Sequence, residues 1–252
     1  MTIEPGWPLA LAVLGLLALT VTMYVVGGLP RPASAPVAAA RAIAQLSVAA
    51  LVIAAVVAHL ALSLATVAVM FSIAVVTTTR RAGAARAWPW AALAMAAGLV
   101  PVLALILATR TIPLEGIALI PVAGILIGGA MTAHTLVCRR AFAALRDDAD
   151  QYDARLALGH PREPAIRLLI HRHLPEALIP GMDQVRTAGV VTLPGAFIGV
   201  LLGGGSPAQA AAAQALVLVG LMAAQTTVAV VAERLIARAL LLPADLRTDL
   251  HP

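Results

Sequence analysis

The sequence predicts an all-α, polytopic transmembrane helix bundle, and three observations carry that reading. Of 252 residues, 61% are apolar and 12% charged, against about 45–50% and about 25% in soluble domains. Several charge-free runs exceed the roughly 20 apolar residues that a helix needs to cross a hydrocarbon core. All 17 basic residues are arginine, and they gather on alternate connections, as expected where positive charge is kept in the cytoplasm. A soluble globular domain, a disordered chain and a disulfide scaffold are thereby excluded. Cys138 is the one cysteine and cannot close an intramolecular bridge.

Taken in order, Trp7 to Leu29 is the first span. A cleavable leader competes for this stretch, with Ala33-Ser34-Ala35 resembling a cleavage site. A leader, however, has a basic start and an apolar run of about 7–15 residues, whereas Glu4 is the charge that precedes this longer run. Residues 42–79 carry no formal charge and would extend about 57 Å as one helix. They are read as two spans meeting near His59, the strongly polar residue at their middle. Residues 87–109 and 116–138 are the fourth and fifth spans. Residues 187–232 supply a sixth and a seventh, parted by Gly203, Gly204, Gly205, Ser206 and Pro207.

Seven spans place the N-terminus outside and the C-terminus in the cytoplasm. Arg31 and Arg41, then Arg80, Arg81 and Arg86, then the arginines from Arg139 to Arg186, then Arg234, Arg238 and Arg247 fall inside; Arg110 alone falls outside. The net charge of +5 is therefore a consequence of topology, and no nucleic-acid partner is expected. The whole chain, 1–252, is read as a single permease domain in the lipid bilayer.

One polar stretch, 139–175, is more than the membrane requires. Phe142, Leu145, Ala149, Tyr152 and Leu156 recur at helical spacing, with Asp and Arg filling the other faces. The fifth helix is thus expected to continue past the membrane with one apolar stripe. Gly159 suits a helix C-cap and Pro161 a restart. Ile166, Leu169, Ile170, His173 and Leu174 then make a second short stripe. A membrane-surface amphipathic hairpin and a docking element fit this pattern equally well.

Asp153-Ala154-Arg155-Leu156-Ala157-Leu158-Gly159 resembles the E-A-A-x-x-x-G loop of ABC transporter permeases, with Asp for Glu and Arg for the second Ala. A longer stretch, from Ile120 to about Ala237, resembles the iron-export-type (FetB-like) ABC permease family, whose plant relatives are aluminium-tolerance half-transporter subunits. The matching segments are Ile120-Pro121-Val122-Ala123-Gly124, Gly128 to Met131, Leu156 to Gly159, Ala177-Leu178-Ile179-Pro180, Gly189 to Gly195, Gly199, Gly205 to Ala210 and Gln214. Arg41 with Gln45-Leu46 adds a match near the N-terminus. The resemblance implies a homodimeric permease in the bacterial cytoplasmic (inner) membrane, exporting iron or another metal. It also implies a coupling role for Asp153, Ala154, Arg155, Leu158, Gly159 and His160. Where the family has Gly-Asn and Met-Asn, this chain has Gly128-Gly129 and Met131-Thr132; where many members have Met-Met, it has Ala196-Phe197. These departures remove oxygen and sulfur donors.

Other candidates come from the residues themselves. Pro121, Gly124 and Gly128 interrupt the fifth span, and Pro194, Gly195 and Gly199 the sixth, in GxxxG-like spacing. Paired interrupted helices point to a substrate path, because freed backbone groups are tolerated beside a cavity; close helix packing or a dimer face accounts for them equally. Asp183 and Arg186, at i and i+3, are placed at the start of the sixth span as an ion pair or a gate. Met131, His134 and Cys138 share a helix face and offer sulfur and nitrogen donors to a soft metal; a hydrogen-bonded His with an inert Cys is the plainer account.

A chain without lysine has no GxxxxGK[ST] phosphate loop, and no His-Glu-x-x-His or Gly-x-Ser-x-Gly is present. No catalytic residue and no cofactor are expected on this chain; ATP and Mg are expected on a separate P-loop ABC ATPase subunit. An ion-gradient-driven secondary carrier and a non-transporting scaffold are the alternatives.

Overall fold

The computed structural model describes residues 6–250, which are helical with no β-strand among them; Glu4 lies outside them. Six of the helices are long and apolar enough to cross a membrane: α1 (Trp7–Val26), α2 (Ser34–Val56), α3 (Leu60–Arg81), α4 (Trp88–Ala108), α5 (Gly116–Asp147) and, under the label α10 here, Pro207–Ala237. Between the last two come α6 (Ala149–Ala157), α7 (Arg162–Ile170), α8 (Leu174–Thr187) and α9 (Gly195–Leu202), and α11 (Ala244–Asp249) ends the chain. The protein is an all-α, polytopic integral membrane bundle.

The chain divides into two compact units at Val57 and Ala58. The first contains α1 and α2, and neither helix buries a residue. Their apolar side chains face outward on all sides, as expected of helices whose solvent is lipid. The expected break at His59 is present: α2 ends at Val56, and an extended His59 precedes α3.

In the second unit, α5 and α10 run parallel. Leu126 meets Gly220, the Gly129 carbonyl accepts from Gln225 Nε2 at 3.4 Å, and Arg140 and Glu233 border one cleft. α3 runs the same way, with Met70 against Gly124 and Thr78 bonded to His134. α4 runs opposite: Gly98 lies against Ala224 and Val228, and Ile106 against Gly220. These contacts put the end of α5, α6, α7 and the end of α10 together at one end of the unit.

Two parallel helices in succession require a return crossing, and this is where the structure differs from the expected seven helical spans. Residues 187–203 are not one helix. Gly189 sits at φ 82° and its N–H donates to Thr192 O at 2.8 Å, closing a tight turn. Pro194 offers no N–H and holds Leu193 extended, so only Gly195–Leu202 is helical there. The return is made by α8 and α9 in succession, roughly 21 and 12 Å long at the helical rise, together near the thickness of a hydrocarbon core. The sixth crossing is thus a broken one that begins near Leu174. The expected break before Pro207 is present and well capped: Ser206 Oγ accepts from Gln209 N, and Gln209 Oε1 accepts from Ser206 N at 2.8 Å, a capping box.

The charge partition follows this path. Within the second unit, Arg110 lies at the far end of α4, while Arg80, Arg81, Arg86, the arginines from Arg139 to Arg172, Arg234, Arg238 and Arg247 belong to the end holding α6 and α7. Arg186 does not. It lies on α8 beyond the level where Gly181 meets Gln225, inside the length of the bundle rather than at its edge.

Candidate transport cavity and coupling element

The candidate coupling residues lie on α6 (Asp153, Ala154, Arg155) and on the exposed turn after it (Leu158, Gly159, His160). The fifth helix does not run on unbroken: it stops at Asp147, and α6 begins at Ala149. Phe142, Leu145 and Tyr152 of the first stripe are buried, as are Ile166, Leu169 and Ile170 of the second, whereas Ala149 is exposed. Gly159, at φ 85°, caps α6: its N–H donates to Leu156 O at 2.9 Å and that of His160 to Arg155 O at 3.0 Å. This is the 6→1 and 5→2 pattern of a glycine-terminated helix. Asp153, Ala154, Leu158, Gly159 and His160 are exposed, and Arg155 is half-buried. Leu158 is 79% exposed at the turn, an apolar side chain with no partner within this chain's core.

Ionic contacts hold this element to the end of α10. Glu233 is 2% exposed and receives His171 Nδ1 at 2.6 Å and Arg167 Nε at 3.8 Å. Arg238 pairs with Glu163 at 3.4 Å, and Arg162 donates to Leu250 O at 2.6 Å. Arg172 pairs with Asp148 and Arg140 with Glu176. Arg146 pairs with Asp245 of α11 at 2.6 Å. Burial acts to raise the Asp245 carboxyl, but the hydrogen bond and charge of Arg146 outweigh it and hold the group below its usual range. Sequence reasoning missed Glu233, whose partners are more than sixty residues away in the chain.

At the other end of α10 lies a cavity of about 530 Å³. Pro121, Pro194, Gly195 and Gly199, all candidates from sequence, line it together, with aliphatic walls from Ile125, Val217, Leu218 and Leu221. Its polar side chains are Gln184 and Gln214. A Cβ at Gly195 or Gly199 would meet nothing within 4 Å, and the same holds for Gly128. Gly124 packs against Met70, so it and Gly128 lie outside the lining. Asp183 and Arg186 pair at 3.7 Å and are exposed; they flank Gln184 on α8 rather than standing where the bundle begins.

Met131, His134 and Cys138 lie at the level of α3's last turns. His134 is fully buried, and its Nδ1 meets Thr78 Oγ1 at 2.9 Å; that hydroxyl also meets Thr135 Oγ1 at 2.8 Å. Cys138 Sγ is 3.8 Å from either ring nitrogen. Thr78 therefore occupies one of the two imidazole nitrogens, a partner that spacing could not reveal. Among the described residues no group of three or more His, Cys, Asp or Glu could hold a metal ion.

Residues 7–241 match the family model described as "Uncharacterised protein family (UPF0014)". The chain is 36% identical over 140 residues to UPF0014 membrane protein STAR2 of Oryza sativa subsp. japonica, covering 54% of this chain and 48% of that protein. It is 32% identical over 140 residues to Protein ALUMINUM SENSITIVE 3 of Arabidopsis thaliana, covering 54% and 50%. Over 108 residues it is 32% identical to the Probable iron export permease protein FetB of Escherichia coli (strain K12), covering 43% and 42%. The chain spans about half the length of the curated relatives it matches. No solved structure matches it. A bundle with a broken return helix, a match over nearly the whole chain and relatives of both bacterial and plant origin place this protein in the UPF0014 family of membrane proteins.

Proposed function

We propose that this chain is the membrane-spanning permease subunit of an ATP-driven ABC transporter, acting as a homodimer with a separate P-loop ATPase that binds ATP and Mg. The observation that carries the reading is the exposed Leu158-Gly159-His160 turn, at the tip of a helical element tied by ion pairs to the end of α10. A surface hairpin meant only to lie on lipid needs no ionic clamp to one transmembrane helix, whereas an element that passes on a partner's motion does. The arginine-rich end faces the cytoplasm, where such an ATPase resides, because cytoplasmic segments hold the Arg excess. The membrane is the bacterial cytoplasmic one.

Iron or another metal as cargo, and export as direction, come from the name of the E. coli relative. Met131, His134 and Cys138 are the sulfur and nitrogen donors proposed within α5, with His134 and Cys138 fully buried and apart from the cavity, and Pro121, Pro194, Gly195 and Gly199 line the proposed passage.

The test is co-purification of the chain with P-loop ABC ATPase subunits from its own organism, followed by ATP hydrolysis in proteoliposomes. Gly159→Trp is expected to abolish ATPase capture; the side chain meets open space but is strained at φ 85°. Leu158→Asp, at an exposed position with negative φ, is therefore the companion variant expected to abolish capture while leaving the thermal melting of the membrane helices unchanged. Capture and transport that both survive these substitutions would remove the docking role.

A further inference from the structure

We propose that the cavity bounded by α5, α8, α9 and α10 binds an uncharged, largely apolar molecule through a hydrogen-bond acceptor on that molecule, and does not bind a bare metal cation. Its use in transport rests on the permease reading above; the binding does not. The volume of about 530 Å³ is that of a small-molecule site, roughly 300–1,000 Å³. No carboxylate, imidazole or thiol lines it. A divalent cation must replace its hydration shell with about four to eight such donors or oxygens, and two glutamine side chains do not suffice. Asp183 and Arg186, on either side of the lining residue Gln184 in α8, form a pair of their own at 3.7 Å. Where a metal crosses here, it crosses enclosed in a neutral, apolar-bodied chelate.

Gln214 defines the ligand's polar end. The residue is 7% exposed, and its Oε1 accepts from Phe197 N at 3.3 Å. That bond orients the amide, and no group among the described residues accepts from its Nε2. That donor is not sealed off in the interior; it belongs to a residue lining the cavity, where an acceptor on a ligand can reach it. Within this chain no helix closes on Gly195 or Gly199, which leaves room there for a ligand.

The test uses the full chain in nanodiscs of saturated phosphatidylcholine and two photoreactive probes, a monoacylglycerol with a diazirine in its acyl chain and a phosphatidylcholine with the same acyl chain. The expected result is saturable monoacylglycerol labelling confined to 194–199 and 214–221, undisturbed by excess Fe²⁺. Gln214→Leu should weaken half-saturation about 2- to 10-fold, as loss of one neutral hydrogen bond implies. Gly199→Leu should remove the labelling. The wild-type mapping and the Fe²⁺ competition need no variant, so they stand if either substitution fails to fold. Labelling spread evenly over lipid-facing positions such as Leu14 and Leu16 would overturn the proposal, as would displacement by Fe²⁺ or saturable labelling by the phosphatidylcholine probe alone. No ATP or ATPase enters this measurement, so a failed ATPase capture leaves its outcome untouched.

Discussion

Gly98 and Gly199 look alike in sequence, each a glycine inside an apolar helix, yet they do opposite things. A Cβ at Gly98 would lie 2.6 Å from both Ala224 O and Val228 Cγ2, so α4 and α10 touch there through backbone. At Gly199 the space is empty. Gly98→Ala is expected to force α4 from α10 and cost about 1–3 kcal/mol, the usual cost of overpacking. Gly199→Ala should be neutral or stabilise by about 0.5–1 kcal/mol, because alanine holds a helix better than glycine. Thermal melting of the two variants in detergent decides the matter; equal melting temperatures would show that the bundle closes over Gly199 as well. Spacing alone could not separate these cases. Of the breakers expected within the fifth and sixth spans, only Pro194 stands where a helix starts afresh; α5 runs unbroken through Pro121, Gly124 and Gly128, and Gly195 and Gly199 lie inside α9. Which glycine faces a neighbour depends on partners about a hundred residues away. Thr78, Gln225 and Glu233 stayed illegible for the same reason, since each acts by meeting a residue on another helix.

At the scale of elements, α10 is the one helix that reaches both regions of interest without a proline in its interior or a glycine break. Its first half walls the cavity through Gln214, Val217, Leu218 and Leu221, and its end carries Glu233 and Arg238 into the coupling element. α5 contains Pro121, and the return crossing is broken between α8 and α9. On the proposed permease reading, α10 is the element that would carry displacement from one end to the other, and Glu233 the contact through which the coupling element would act on it. Its partners Arg167 and His171 are more than half exposed, so removing the carboxylate leaves them solvated rather than stranded. The cost of Glu233→Gln to global stability should therefore stay near that of a surface pair, about 1 kcal/mol or less, well below the roughly 3–5 kcal/mol of a broken buried pair. Hydrogen exchange over 162–173 should rise several-fold, on the scale of about 1 kcal/mol, while exchange in α4 stays unchanged. If 162–173 exchanges as in the parent, the clamp does not lie at Glu233. The helical stripes of this element were legible, because burial of Tyr152, Ile166 and Leu169 follows their periodicity. The stop at Asp147 was not: Asp148 is taken from the helix by long-range pairing with Arg172.

For the whole molecule, the question is which connections share a side of the membrane. Counting arginines against seven spans placed the polar element and the C-terminus on the same side. The contacts of α10 with α7 and of Arg162 with Leu250 bring those regions together in space. Six helices are long and apolar enough to span, not seven; within the second unit the two ends stay distinct because the return between α5 and α10 is made by α8 and α9 together. Periodicity failed at the sixth crossing for a physical reason: α8 carries Glu176, Asp183 and Arg186 and reads as polar, while the apolar residues after it contain Gly189 and Pro194 and cannot continue a helix. This arrangement has a direct consequence for labelling. Single cysteines placed in a Cys138→Ala background at Leu158 and at Arg238 should react with a membrane-impermeant maleimide from one face of inside-out vesicles. Cysteines at Arg110 and Gly204 should react from the other face. Gly204, at φ 87° with open space around it, tolerates a side chain only with strain, so Ser206 is avoided and Gly203 serves as its replacement; Ser206 caps α10 and its loss would unwind the start of that helix. If the cysteine at 203 or 204 reacted from the same face as the one at 158, α8 and α9 would not cross, and the parallel pairing of α5 with α10 could not be maintained in a membrane.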